Sequence, residues 1–379
     1  TPSPAGGEIL RTDNDEPTGV FVDQATTLID SHIPTGLLGL PEDLILKAQQ
    51  MCLKVGLTGV HDAGVSADDI KVYKKLQQER KLKIRIYAMV NAQEAPAWFA
   101  EHGTYDGFKL TVRAAKAYMD GAMGSRGAWL LKPYADRPRG PDGKPYAGLP
   151  QGSQSNIETL ALDGLRQGYQ VCTHAIGDRA NREVLDAYEN ALKQARKEDE
   201  SLAHAPRFRI EHAQLLSPED IPRFASLGII PSMQPTHCTS DMRWVDARVG
   251  PDRAKGAYAW AALLRNGSRL ALGSDFPVES PNPFLGIYAA VTRENVAGEP
   301  AGGWHPEQRL TREEALRGFT INAARAAFWD ERVGSIQAGK LADFVILDRD
   351  IMTCDVHDIA ETKVIKTVSF GEVVYEAHD

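Results

Sequence analysis

Three apolar runs in this chain each close on a side chain able to bind a metal: QVCTH on His174, the alternating RFRIEH on His212, and RLALGSD on Asp275. Each run has the length and alternation of a short strand. After His174, Gly177 and Asp178 turn the chain into a helix with Val184, Leu185, Tyr188 and Leu192 along one face. The same strand-then-helix rhythm runs through the sequence. Pro41 to Val55 predicts a helix carrying Leu44, Ala48, Met51 and Val55 on one side, closed by Gly56. LTGVHDAG predicts a strand ending in His61 and Asp62, and Ser66 with Asp69 predicts a capping box for a helix to Gln78. Lys83 to Val90 is a further strand, Ala95 to Glu101 a short helix with Pro96 in its first turn, and VRAAKAYMDG a strand that places Lys116 among small apolar neighbours. Ile157 to Gln167 predicts a helix. SPED gives Ser217 as N-cap and Pro218 at N1 of a helix to Leu227, which Gly228 ends. IIPSMQP is a strand with Gln234 and His237 at its end, a helix follows from about Asp252 to Asn266, and Thr311 with Glu314 caps a last helix through Phe319.

Strands alternating with helices, with chemistry at the strand C-termini, predict an α/β fold of the TIM (β/α)8 type. Units end near His61, Val90, Lys116, His174, His212, Gln234 and Asp275, one short of a closed barrel. The missing first strand would precede residue 41. Residues 1 to 40 read instead as a loop-rich lead-in with one apolar patch, Val20 to Ile29. The expected domains are an incomplete barrel over 1–331 and, over 332–379, a small C-terminal β-sandwich portion, because LADFVIL and VIKTVSFGEVVYE no longer alternate with helices. Between Asp120 and Ser155, Pro133, Pro138, Pro141, Pro145 and Pro150 and several glycines exclude a regular element, and a loop that long is expected above the barrel mouth.

Composition narrows the partners. The 379 residues are 42% hydrophobic with a formal charge of -8, so there is no basic footprint for nucleic acid, and no apolar run approaches the ~20 residues of a membrane span. A small-molecule substrate is the expected partner, and a homo-oligomer is left open. The four cysteines lie far apart without CxxC spacing, which predicts reduced thiols and a cytoplasmic chain.

Two histidines and an aspartate from different strands form a ligand set for Zn2+ or a similar divalent ion, one or two per chain. A metal so held makes hydroxide near neutral pH and polarises a carbonyl, and Asp275 suits the proton-moving role. Lys116 beside a cation would be repelled, a conflict that disappears if its amine carries a carbamate bridging two metals. His61 and His237 also sit at strand ends, and each reads equally as a substrate contact or as a locally hydrogen-bonded residue.

THAIGDRA, RIEHAQ, GSDFPV, KAYMDGAMGSRGA and VGSIQAGKLADFVILD, in that order, resemble the amidohydrolase superfamily, most of all its YtcJ-like amidohydrolase-3 group, which includes N-substituted formamide deformylases. The resemblance implies a metal-dependent hydrolase on a TIM barrel, with Lys116 as carbamylated bridging lysine, His174 and His212 on the second metal, and Asp275 as ligand to the first metal and general base. It also implies that Asp120, Ser125, Arg126 and Gln234 lie near the substrate. The family carries an HxH pair on its first barrel strand. This chain has no HxH, so a missing N-terminal segment is expected to complete the barrel. The expected function is hydrolysis of a C–N bond in an amide or formamide through a metal-activated hydroxide. The alternatives are a lactonase or phosphotriesterase on the same centre, and an inactive fragment or pseudoenzyme.

Overall fold

The computed structural model describes residues 1–34 and 39–378, so residues 35–38 of the expected lead-in lie outside the described residues. Its centre is a curled parallel sheet. The strands are β3 (Gly59–Val65), β4 (Arg85–Asn91), β6 (Leu110–Tyr118), β7 (Gln170–Ala175), β8 (Arg209–His212), β9 (Ile230–Met233) and β10 (Ala271–Leu272), paired in the order β10-β9-β8-β7-β6-β4-β3. A two-residue strand, β5 (Tyr105–Asp106), runs antiparallel beside β6. Among the described residues no ladder joins β3 to β10, so the seven strands form most of a barrel, open along one seam. This agrees with the count of seven units.

Register brings the polar strand ends to one level. Tyr118 pairs with His174 and Ala175 with His212, so Lys116, His174 and His212 stand on three neighbouring strands near their C-terminal ends. Below them, Tyr87, Met89, Ala114 and Cys172 fill the barrel interior against Ala324, Ala327 and Trp329. The larger core lies outside the sheet, where the apolar faces of the crossover helices pack; Val184, Leu185, Tyr188 and Leu192 of the helix Asp178–Glu198 are all buried there. The Ser66 and Thr311 capping boxes form as the sequence predicts.

Several elements differ from the sequence reading. The lead-in contains an antiparallel hairpin, β1 (Gly7–Arg11) with β2 (Pro17–Asp23). β2 is exposed along most of its length, so no hydrophobic alternation marks it. Ser217 does not cap the next helix; its hydroxyl bonds Glu219 and the helix begins at Ile221 with Asp220 as N-cap. The stretch after Gln234 is a helix, Pro235–Val249, and the helix expected over 252–266 is split into Pro251–Ala254 and Trp260–Arg265. A further helix, Pro283–Thr292, is apolar nearly all round and has no polar face to reveal it.

The 120–155 loop is irregular, as expected, and the N-terminal hairpin packs on it. Arg137 makes a bidentate pair with Glu8 at 2.9 and 2.6 Å, Gln151 bonds the Gly6 carbonyl, and Asp23 inserts between Gly121 and Gly127, where a Cβ on either glycine would collide with its carboxylate. At the opposite pole, β11 (Phe344–Leu347), β12 (Val364–Ser369) and β13 (Glu372–Glu376) form an antiparallel layer. It is joined to the start of β4 by a buried ion pair, with Arg85 Nε and Nη2 donating to Asp343 at 2.8 and 3.1 Å.

Removing one member of a buried pair leaves an uncompensated charge, so Arg85→Ala is expected to destabilise the chain by about 3–5 kcal/mol in urea unfolding, with Arg85→Met/Asp343→Leu recovering most of the loss. A single variant as stable as the parent would contradict this coupling. A second prediction concerns Asp23, whose carboxyl is raised by burial to about 6. The folded chain then holds this proton more tightly than the unfolded chain, and stability contributed here falls as pH rises from about 4 to about 6. Asp23→Asn is expected to flatten that part of the Tm–pH profile and to raise Tm at pH above the window. An unchanged profile would show that the carboxyl is effectively solvated.

Candidate metal centre

The residues at the mouth are held in backbone conformations that side chains rarely adopt. His212 (φ 75°), Ala213 (φ 42°) and Asp275 (φ 58°) all lie in the left-handed region, a strain that persists only where surrounding structure imposes it. The turn at His212 and Ala213 ends β8 and faces the imidazole toward its neighbours. His212 Nδ1 lies 2.8 Å from Gln234 Oε1, while the Gln234 amide nitrogen donates to the Ser232 carbonyl at 3.3 Å. With the amide so oriented, Nδ1 carries the proton and donates, and Nε2 keeps its lone pair. Burial lowers the His212 pKa to about 3, so the ring is neutral, the form that binds a metal.

His174 stands beside it, ring centres 4.5 Å apart. Its Nε2 is buried without a hydrogen-bond partner among the described residues and lies 3.5 Å from Asp120 Oδ1; burial first, then His212 and Lys116, hold its pKa well below the usual histidine range. His237, in the first turn of Pro235–Val249, lies with Nε2 3.7 Å from Asp275 Oδ2. Ligand atoms of His212, His237 and Asp275 fall within 4.8 Å of one another. Asp275, 40% exposed at its side chain, is raised by burial to about 6, with Lys116 opposing the shift.

Lys116 is 4% exposed, and burial lowers its pKa to about 8. Its Nζ sits 3.6 Å from the Tyr118 ring centre and makes one long hydrogen bond, to the Ala117 carbonyl at 3.4 Å. Next to it, the sequence gave no warning of a buried pair: Arg209 Nε meets Glu211 Oε1 at 2.8 Å, and the same guanidinium donates to His61 Nδ1 and Ser232 Oγ, each at 2.9 Å. His61 is therefore an acceptor at Nδ1.

Of the residues expected near the substrate, His61 and Gln234 line a cleft of about 740 Å³ together with Asp275, Arg209 and Glu211, and Asp120, Ser125, Arg126 and His237 do not. Asp120 is 1% exposed, accepting N–H bonds from Trp129, Gly177 and Ile176 at 2.7, 2.8 and 2.9 Å. Burial raises it to about 7 against these donors, and its visible work is to fasten the long loop to the end of β7. Ser125 is exposed and donates to the Ala122 carbonyl at 3.1 Å. Arg126 is engaged by Asp136 at 3.1 and 2.9 Å, and Asp136 also binds Arg248, so this pair clamps the loop to the helix Pro235–Val249.

The donor set fits a divalent ion. Neutral imidazoles with free Nε2 atoms, two of them buried and unpartnered, and a carboxylate beside them match the chemistry of Zn2+ and its neighbours. A helix start that sequence reasoning passed over, Pro235 at N1, is the signal that would have placed His237 in a helical first turn.

The chain is similar to known proteins along most of its length. A model of the amidohydrolase family, Amidohydro_3, matches residues 1–375. The putative amidohydrolase YtcJ of Bacillus subtilis is 32% identical over 381 residues, covering 99% of this chain and 69% of that protein. An N-substituted formamide deformylase of Arthrobacter pascens is 29% identical over 390 residues, covering 99% of this chain and 68% of its own. A crystal structure of an uncharacterized metal-dependent hydrolase from Pyrococcus furiosus superposes with a TM-score of 0.74 at 28% identity, covering 90% of this chain and 67% of that one. The chain spans 60% of the length of a further curated relative, from Arabidopsis thaliana. By the match of nearly its whole length to the family model, the chain belongs to the amidohydrolase family.

Proposed function

We propose that this chain is the barrel of a metal-dependent hydrolase that opens the C–N bond of small amides or formamides. The observation that carries the reading is the convergence of ligand atoms of His212, His237 and Asp275 within 4.8 Å of one another at the barrel mouth, with Asp275 also lining the cleft. Similarity to a formamide deformylase supports the bond type.

His174, His212 and Asp275 would hold a divalent ion, zinc being the expected one, and a carbamylated Lys116 would add a further carboxylate. Such an ion acidifies water near neutral pH and polarises a carbonyl. Asp275, with its side chain 40% exposed, would take the proton of the attacking water and pass it to the departing nitrogen as the C–O bond forms and the C–N bond breaks. Gln234 keeps His212 in the tautomer that leaves Nε2 free. The burial of Lys116 favours its neutral amine; that amine adds to CO2, forming an N–C bond and releasing one N–H proton to solvent.

Two results are expected. Native mass spectrometry should show a species heavier by one CO2 that is absent in Lys116→Met; identical masses in both would remove the carbamate. In a screen of N-substituted formamides, amides, lactones and phosphotriesters with added Zn2+, formamides or amides should be cleaved, and Asp275→Asn should lower kcat about 10²–10⁴-fold. Turnover confined to lactones or phosphotriesters would replace the bond assignment, since similar centres serve several chemistries. Failure of every substrate with metal in excess would favour the inactive reading.

A further inference from the structure

We infer that His237 is itself a ligand of the divalent ion, joining His212 and Asp275 of the set proposed above; the inference rests on that metal centre. The family resemblance offered His237 no such part, and its position at a strand end left it open between a substrate contact and a local hydrogen bond.

Four observations carry the assignment. First, the ligand atoms of the three residues lie within 4.8 Å of one another, and they come from three separate segments. Donors around zinc at ~2.0–2.2 Å stand no more than ~4.4 Å apart, so a small side-chain adjustment closes the set on an ion. Second, His237 Nε2 is buried and has no hydrogen-bond partner among the described residues; the nearest carboxylate, Asp275, is 3.7 Å away, too far for a hydrogen bond. Buried polar edges without a partner are rare in native proteins, and a missing ion is one of their ordinary explanations. Third, the His212 and His237 rings are nearly parallel, 15° apart with centres at 5.8 Å, and Gln234 occupies Nδ1 of His212, which leaves its Nε2 as the donor on this side. Fourth, the segments bearing His237 and Asp275 are stapled together: Ser240, one turn after His237, donates to Glu279, four residues after Asp275, at 2.6 Å. The ligand pair is thus held by a contact that neither ligand makes itself.

Cobalt(II) tests the assignment, because its visible d–d absorption reports coordination independently of turnover. The chelator-stripped chain is titrated with Co2+ as parent, His237→Gln, His237→Cys and Gln234→Leu, with circular dichroism confirming the fold of each. If His237 is a ligand, His237→Gln weakens cobalt binding by more than about 100-fold, beyond the ~10–100-fold expected for the outer partner Gln234. Cobalt-loaded His237→Cys then shows a near-ultraviolet thiolate-to-cobalt charge-transfer band, which forms only if position 237 touches the metal. Parent-like affinity and d–d spectrum in His237→Gln, or cobalt-loaded His237→Cys without that band, overturns the assignment while leaving the metal centre in place. A parent chain that takes up no cobalt overturns both, and so the two failures are told apart.

Discussion

Burial of neutral imidazole at the ends of parallel strands is the constraint on which the rest of this structure depends. A histidine at such a position loses water and, unless a partner is supplied, leaves one ring nitrogen unsatisfied. The fold supplies a partner for one nitrogen of His212 through Gln234 and leaves Nε2 of His174 and of His237 without one among the described residues. The surrounding charges follow the same logic. Lys116 is dry and poorly paired, and the nearby carboxylate Glu211 is taken up by Arg209 rather than by the lysine. A site that strips its own donors of water and of protein partners is arranged to receive something from outside.

The periphery keeps that arrangement in place. Asp120 gathers three N–H groups from the long loop and from the end of β7, and Asp136 ties the same loop to the helix that bears His237 through Arg126 and Arg248. The N-terminal hairpin then rests on this loop through Glu8 and Asp23, so the lead-in belongs mechanically to the mouth of the barrel. Asp120 and Arg126 thus act on the cleft through the loop and helix they fix, while His61, Gln234 and Asp275 meet it directly. The seam between β3 and β10 is part of the same cleft, which is why apolar residues such as Ile45, Cys52 and Phe319 share its walls with the polar strand ends.

Much of this was legible from periodicity, because strands buried on both faces and helices with one buried face leave strong patterns. His174, His212 and Lys116 could be placed at strand ends for that reason. The failures have physical causes as well. The hairpin β1–β2 is exposed along most of β2, so nothing in its polarity distinguishes it from a loop. The helix Pro235–Val249 buries few of its residues and mixes polar with apolar along its length, and only the proline at its start announces it. Asp275 follows a strand of two residues, and its left-handed backbone is a tertiary effect with no local signature in an aspartate. The buried Arg209–Glu211 pair reads in sequence as an ordinary alternation of polar residues, since its burial depends on strands that are distant in the chain.

The most direct test of the central assignment is the divalent metal content per chain, measured by elemental analysis on protein purified without chelator and again after His212→Ala. At least one ion per parent chain, lost in the variant while the fold is retained, is the expected result. A folded parent chain that holds no divalent ion even after incubation with excess Zn2+ would contradict it, and would leave the unpartnered imidazoles at the strand ends without the ligand that explains them.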